Sequence, residues 1–585
     1  EAHTYRGVFG SHVGDVLRRL RRLCAHYGSS PQFICSSATL ANPQEHAERL
    51  VGLPFRSVAE DGSARGGRDF AFWNPPFTDE AHSTRRSSNS EATSLLSELV
   101  RHGIRSMVFA NTRKLTELIY IYSRNRLTEI DRSLAERIMP YRAGYLPEAR
   151  RAIERALFQG ELLGVVATSA LEMGIDIGDM DATVLVGYPG SIASTWQQAG
   201  RSGRRRHQAL SILIGRDGPL DQYFMRHPEA LFGKSFENAL CDPSNRHILG
   251  PHLLSAAWEL PLEAGAEAIF GPGYAQTAAD LEAQGLLKRR AQRLYPAPSL
   301  SYPAQDINIR SASMENYTVV DVARGNQPLE TVDASVAFFQ IHPGAIYLHQ
   351  GEAYLISKLD LTGRTAYAVP SDATYYTQAK DLIDLTILNT SQQRRLGDVG
   401  VYLGQVEVTT RVLGFRRKQQ FTEEVIGEEP LDLPAQSFPT VALWFDLPQP
   451  VMEDIEQSGL DLAGGLHAAE HAAIGMLPLF ALCDRNDIGG LSTPLHPDTG
   501  RAQIFIYDAH PGGIGIAEKG FQVITELWRA TLDAIVGCPC QEGCPSCVQS
   551  PKCGNNNQPL DKEAAKKLLA GLLAASPLAP ATPTV

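Results

Sequence analysis

The sequence predicts a multidomain α/β protein, and three observations predict it. Strand-like and helix-like segments alternate between residues 95 and 215, the order that builds a parallel sheet covered by helices. A helical stretch over 242–300 runs into the basic Lys288-Arg289-Arg290 and a wing-like Leu294-Tyr295, which suits a winged-helix-like module, and residues 315–435 turn β-rich. Five cysteines then crowd between Cys538 and Cys553, near the end of an α+β region over 436–575.

In chain order, Val13, Val16, Leu17, Leu20 and Leu23 recur at helical spacing with Arg18, Arg19, Arg21 and Arg22 between them. The arginines are expected to form a solvated helix face, with DNA contact as the alternative. Phe33-Ile34-Cys35 reads as a buried strand leading into Ser37-Ala38-Thr39, and the Gly/Ser/Arg-rich Asp61 to Arg68 and polar Asp79 to Ser90 read as linkers. Within 95–215 the pattern gives helices through Leu95-Leu96-Leu99, Lys114 to Tyr122 and Pro147 to Phe158, and strands at 107–110, 164–167 and 182–187. Thr112-Arg113 and Thr168-Ser169 follow strand carboxyl ends, where the active loops of such sheets lie.

Helices are expected around Ile248 to Leu260 and Thr277 to Leu287. Strands are expected at Tyr317 to Val320, Val336 to Phe339, Tyr354 to Ile356 and the alternating Val406, Val408, Thr410 and Val412. The tail 576–585, rich in Pro, Ala and Thr, cannot bury enough apolar surface to order itself.

A length of 585 residues allows about four domains at ~150 residues each. No stretch approaches the ~18–20 apolar residues of a membrane span, so a soluble, cytoplasmic and monomeric protein is expected. A net charge of −11 excludes a uniformly basic surface. Nucleic acid would have to be held in a local basic channel, because affinity follows the phosphates actually neutralised.

The cysteine spacing is Cys538-x-Cys540-x3-Cys544-x2-Cys547, with Cys553 further on and turn residues Gly543 and Pro545 between. Such close thiols suit one tetrahedral structural zinc held by Cys538, Cys540, Cys544 and Cys547, with Cys553 as the substitute for Cys538. An iron–sulfur cluster is the alternative. His467-x-x-Glu470-His471 fits an inverted zinc-protease pattern, but it sits in an alanine-rich stretch from Leu466 to Phe480 that reads as a buried helix, so a structural role is expected. Asp508-Ala509-His510-Pro511-Gly512-Gly513 reads equally as an anion-binding turn or as a tight turn that only glycine permits.

Five short motifs follow one another in order: Glu1-Ala2-His3; Ser37-Ala38-Thr39; Met107 to Arg113; Ala167 to Gly178; and Gln197-x-x-Gly200-Arg201-x-x-Arg204. Together they resemble motifs II to VI of superfamily 2 helicases, beginning inside a DEAH box. The resemblance implies a RecA-like lobe over 95–215 and the remnant of a first lobe over 1–75. It makes Glu1 the residue that positions the attacking water and His3 its link to the second lobe. Gln197, Arg201 and Arg204 would be catalytic, with Arg204 as the arginine finger, and Gly174, Asp176, Arg201 and Arg204 would face the nucleotide. Ser37, Thr39, Thr112, Arg113 and Thr168 would contact nucleic acid.

The phosphate-binding loop and the aspartate that would precede Glu1 are not among these residues; Gly233-Lys234-Ser235 lacks the first glycine of such a loop, having Pro228 in its place. The chain reads as N-terminally truncated within the DEAH motif and is expected to be inactive by itself, its ATP and Mg2+ site needing the missing N-terminal lobe.

Asp217 to Phe224, Arg226 to Glu229, Ile307 to Arg310, Tyr375 to Gln378, His467 to His471, Asp508 to Gly515 and Cys538 to Asn555 are similar to the bacterial mitomycin repair factor A helicases, relatives of the Hrq-type RecQ-like enzymes. That resemblance implies a 3′-to-5′ DNA helicase of DNA repair that binds single strands and duplex junctions and carries a C-terminal four-cysteine zinc domain. An RNA helicase and a non-catalytic nucleic-acid-binding zinc-domain fragment are the alternatives.

Overall fold

The computed structural model describes residues 1–576 except 38–39, 61–66, 81, 83–84, 143–144, 146, 173–179, 204–207, 233–236, 264, 312–314, 350–351 and 420–423. Its first sheet is parallel throughout and comprises β1 (Arg68–Trp73), β2 (Ser106–Ala110), β3 (Ile138–Tyr141), β4 (Gly164–Ala167), β5 (Ala182–Val186) and β6 (Ala209–Ile214), in the order β1-β6-β5-β2-β4-β3. Alternation along β2 sends Val108 and Ala110 to one core and Met107 and Phe109 to the other. The Ser88–Arg101 and Arg113–Ile130 helices cover the first face and Pro147–Phe158 the second. Because both faces are buried, the central strands read as continuous apolar runs. Pro140 is tolerated because β3 lies at the edge, where a missing N–H breaks no ladder.

The sheet starts earlier than the span of 95–215. β1 pairs along its whole length with β6, so the expected break at residue 75 falls after a strand of this lobe. Phe33-Ile34-Cys35, in contrast, is not a strand: no described strand lies beside it to complete its backbone hydrogen bonds, and Ile34 is 86% exposed.

The arginines of the Gly7–His26 helix are not a solvated face. Arg18 donates to Leu50 O (3.0 Å) and Arg49 O (2.7 Å), and Arg21 donates to Val51 O (2.8 Å) and Gly52 O (2.9 Å). Arg22 donates to Ala256 O and Leu260 O, both at 2.7 Å, and Arg19 pairs with Glu259. These acceptors are the last carbonyls of the Pro43–Val51 and Arg246–Glu259 helices. Carbonyls at a helix end lack the partners of the helix interior and carry the negative end of its dipole; Ala256 O shares its acceptor role between Arg22 and Leu260 N. One helix therefore caps two others, and joins the N-terminal segment to the next module.

That module holds the Arg246–Glu259 and Tyr274–Ala283 helices and a hairpin of β7 (Leu287–Arg290) and β8 (Arg293–Pro296) around one apolar cluster, the layout of a winged helix. A five-stranded sheet follows, built from β9 (Asn316–Asp321), β10 (Gln327–Asp333), β11 (Ile346–His349), β12 (Glu352–Asp360) and β13 (Thr365–Pro370). The expected strand at 336–339 is instead part of the Ala334–Gln340 helix. Asp333 caps it by accepting from Ser335 N (2.8 Å), and a local cap outweighs the β-branched and aromatic composition.

The last sheet crosses the expected boundary at 435/436. It comprises β14 (Tyr375–Leu396), β15 (Val399–Gln419), β16 (Val425–Pro430), β17 (Gln436–Asp446), β18 (Ile488–Thr493) and β19 (Gln503–Asp508), with the long β14–β15 hairpin joined to β17 and β19. The Leu462–Met476, Ile524–Val536 and Lys562–Ala575 helices pack on it in the largest core, which also takes in Tyr188 and Ile192 of the RecA-like lobe and Phe224 of the helix that follows its last strand. Of the tail, residues 577–585 lie outside the described residues. Among the described residues no helix is long and apolar enough to cross a membrane.

Candidate functional site

Residues far apart in the chain meet at the motor lobe. Ala2 N donates to Ser36 O (2.8 Å) and His46 Nε2 donates to Ala2 O (3.0 Å), which fixes the first residues against the 36–37 segment. His3 Nδ1 then lies 3.0 Å from Ser37 Oγ. On the other side, Ser191 caps the Ile192–Ala199 helix by accepting from Ser194 N (2.9 Å), and that helix presents Gln197. Its amide nitrogen is 3.2 Å from His3 Nε2 and 3.4 Å from Glu1 Oε2. An amide N–H can only donate, so His3 Nε2 accepts and Nδ1–H donates to Ser37; the ring is neutral. Burial lowers the His3 pKa, against the pull of Glu1, which agrees with a neutral ring.

Arg201 is buried, and its Nη2 and Nε donate to Glu172 O at 2.6 and 3.2 Å. Gln198 Nε2 donates to Glu172 Oε2 (2.8 Å), and burial raises the Glu172 pKa. Sequence reasoning passed over Glu172, although it stands inside the Ala167 to Gly178 motif; its burial is the signal, and only the fold supplies it. Thr112 and Thr168 end the neighbouring strands β2 and β4 on the same sheet edge, each capping the next helix: Thr112 accepts from Leu115 N (3.2 Å) and Thr168 from Ala170 N (3.4 Å). Thr39, Gly174, Asp176, Arg204 and the side chain of Arg113 lie outside the described residues.

The four close cysteines are buried together. Their sulfurs are 3.6 Å apart for Cys538–Cys540, 3.5 Å for Cys538–Cys544, 3.5 Å for Cys540–Cys547 and 3.8 Å for Cys544–Cys547. Zinc–sulfur bonds of about 2.3 Å in a tetrahedron place sulfurs about 3.8 Å apart, so the cage fits that ion. Buried Lys562 donates to Cys538 O (2.8 Å) and reaches Cys540 Sγ at 3.3 Å.

Cys553 does not substitute for Cys538; it stands apart from the quartet, beside His467 and His471. The cage also touches the motor lobe. Ser546 Oγ is 3.4 Å from Asp217 Oδ1, and Arg226 Nη2 donates to Ala534 O (3.2 Å). Burial lowers the Arg226 pKa while the cysteines raise it, so its guanidinium offsets thiolate charge.

The Asp508–Gly513 segment is a glycine turn whose anion is its own. Asp508 Oδ2 accepts from Ile514 N (2.5 Å) and Gly515 N (3.0 Å), and Oδ1 accepts from Ala517 N (2.7 Å). Gly512, Gly513 and Gly515 have φ of 77°, 80° and 96°, conformations that a β-carbon penalises. Asn245 Nδ2 donates to Pro511 O and Gly513 O, both at 2.8 Å, and ties the winged helix to this turn.

A parallel motor sheet, a winged helix and a cysteine cage in one chain define a superfamily 2 helicase with a C-terminal zinc-binding domain. The family models that match are the helicase conserved C-terminal domain over 91–206, the winged helix domain of the ATP-dependent helicase HRQ1 over 241–312 and the MrfA Zn-binding domain over 469–548. The chain is 40% identical over 554 residues to the uncharacterized ATP-dependent helicase YprA of Bacillus subtilis, covering 94% of this chain and 72% of that protein. It is 33% identical to the ATP-dependent helicase HRQ1 of Saccharomyces cerevisiae over 97% of this chain, but spans only 54% of that relative. The crystal structure of the helicase MrfA bound to DNA superposes with a TM-score of 0.63 at 38% identity, over 98% of this chain and 75% of that one. The chain belongs to this family of ATP-dependent helicases.

Proposed function

We propose that the chain is the translocating and zinc-bearing part of a 3′-to-5′ DNA helicase of DNA repair, with ATP and Mg2+ held between its motor lobe and a phosphate-binding lobe. The observation that carries this reading is the meeting of Glu1, His3, Ser37 and Gln197, which links the water-positioning motif to the motif bearing Arg201 and Arg204. In such motors the chemistry is positioning and charge neutralisation. Glu1 would orient the attacking water, and Arg204 would reach the departing phosphoryl group. Buried Arg201 would hold the loop after β4 through Glu172 O. Asp176 and Gly174 would face the nucleotide, and Thr112, Arg113 and Thr168, with Ser37 and Thr39, the DNA backbone. Relatives solved with DNA support DNA as the partner. The four thiolates would hold one structural zinc that stabilises the domain and performs no chemistry.

The test uses a version carrying a phosphate-binding loop. Arg204→Ala should lower DNA-stimulated ATP hydrolysis by ~10³ while leaving DNA binding intact, and the 585-residue chain alone should not turn over ATP. Unwinding should need a 3′ single-stranded DNA tail. Arg204→Ala turnover within a few-fold of wild type would sink the motor assignment, and equal unwinding of RNA duplexes would sink the DNA preference.

A further inference from the structure

The residues left over from the cysteine quartet form a second cluster. His467 Nε2 lies 3.5 Å from Cys553 Sγ, the His467 and His471 ring centroids are 4.2 Å apart, and one ligand atom from each of the three residues falls within 4.8 Å of the others. The helix places the two histidines one turn apart on the same face. Cys553 comes from the loop before the Lys562–Ala575 helix.

Both rings are oriented from behind. His467 Nδ1 faces Pro559 O at 2.8 Å and His471 Nδ1 faces Val548 O at 3.0 Å. A carbonyl only accepts, so each Nδ1 carries the proton and each Nε2 keeps its lone pair. Backbone carbonyls orient metal-binding histidines in this way. The distance agrees as well: zinc–nitrogen bonds of about 2.0–2.1 Å and zinc–sulfur bonds of about 2.3 Å in a tetrahedron put nitrogen and sulfur about 3.5 Å apart.

We propose that His467 Nε2, His471 Nε2 and Cys553 Sγ bind a second divalent ion of the zinc class, separate from the four-cysteine cage. Uptake exchanges the Cys553 thiol proton, released to solvent, for the ion. The three donors leave a fourth position, and the cluster lines a cleft of about 1670 Å³ that Arg485, Ser492, Tyr507 and Lys552 also line. The fourth ligand is therefore a water or an anionic group from the cleft, as in sites with three protein ligands. The ion pins the Leu462–Met476 helix to the loop that carries Cys553. None of this depends on the motor reading.

The experiment is metal analysis of the full chain, incubated with excess Zn2+ and desalted. Two zinc ions per chain are expected, falling to one in Cys553→Ser and in His467→Ala. X-ray absorption at the zinc edge of the wild-type chain, which needs no variant to fold, should show nitrogen together with sulfur ligands. One zinc per chain, or an all-sulfur shell, overturns the proposal and leaves a Cys553 thiol hydrogen-bonded to His467.

Discussion

Two basic runs of this chain look alike in sequence and end in opposite situations. Arg18, Arg19, Arg21 and Arg22 lie on the Gly7–His26 helix against carbonyls and a carboxylate of two other helices, whereas Lys288, Arg289 and Arg290 stand exposed on the winged-helix hairpin. A guanidinium is drawn to whatever acceptors the fold places in reach, and helix ends supply them without a water-exposed partner. The first run therefore serves the structure, whereas in the second Lys288 and Arg290 face solvent, where a phosphate can reach them, and Arg289 pairs with Glu282.

The contrast is sharpest at Arg18, which is only 7% exposed. Arg18→Ala removes two charge-assisted hydrogen bonds of ~1.5–3 kcal/mol each, so a loss of about 3–6 kcal/mol is expected by denaturant unfolding. A loss below about 1 kcal/mol would break the comparison.

Next in size is a pH effect at the same interface. Arg19 Nη1 donates to His252 Nδ1 (3.2 Å), which leaves His252 Nε2–H to donate to His12 Nδ1 (3.0 Å) and His12 Nε2–H to donate to Ser311 O (2.9 Å). Every link requires neutral rings. Burial lowers both pKa values, that of His252 to about 3. The folded values lie below the ordinary 6.5, so this stability is complete above pH 6.5 and is lost as pH falls toward 3. At pH 5 the loss from His252 alone should be about 2 kcal/mol. His252→Gln should flatten the stability profile between pH 7 and 5; an unchanged slope would show that the relay does not form.

The exposed run should respond in binding and not in folding. Lys288→Ala and Arg290→Ala should leave the melting temperature unchanged and each flatten the salt dependence of DNA binding by roughly one unit, uniformly across sequences. Melting shifts as large as those of Arg18→Ala would erase the distinction between the runs. Arg289 already pairs with Glu282 at 2.7 Å, so Arg289→Ala should change the salt slope least of the three. A slope change larger than that of Lys288→Ala would mean that DNA displaces the glutamate.

Much of the site was legible because its information is local. The order of the short motifs, the apolar runs of β2, β4 and β5, and the cysteine spacing of the cage each lie within a few residues of chain, and the backbone turns them directly into strands, loops and a tetrahedral pocket. The helix that replaced the expected strand at 336–339 was local too, since Asp333 was there to be read as a cap.

What only the tertiary structure decided depends on partners distant in sequence. Phe70 and Phe72 of β1 become part of a sheet because β6 offers a free edge some 140 residues later. Cys553 meets His467 and not the quartet because the Leu462–Met476 helix packs beside its loop, and Asp508 fills its own anion-binding turn once the glycines fold the chain back. The arginines of the first helix are the plainest case. Charge and helical spacing are written in the sequence, but a charged side chain is solvated or buried according to the acceptors it meets, and those belong to other helices.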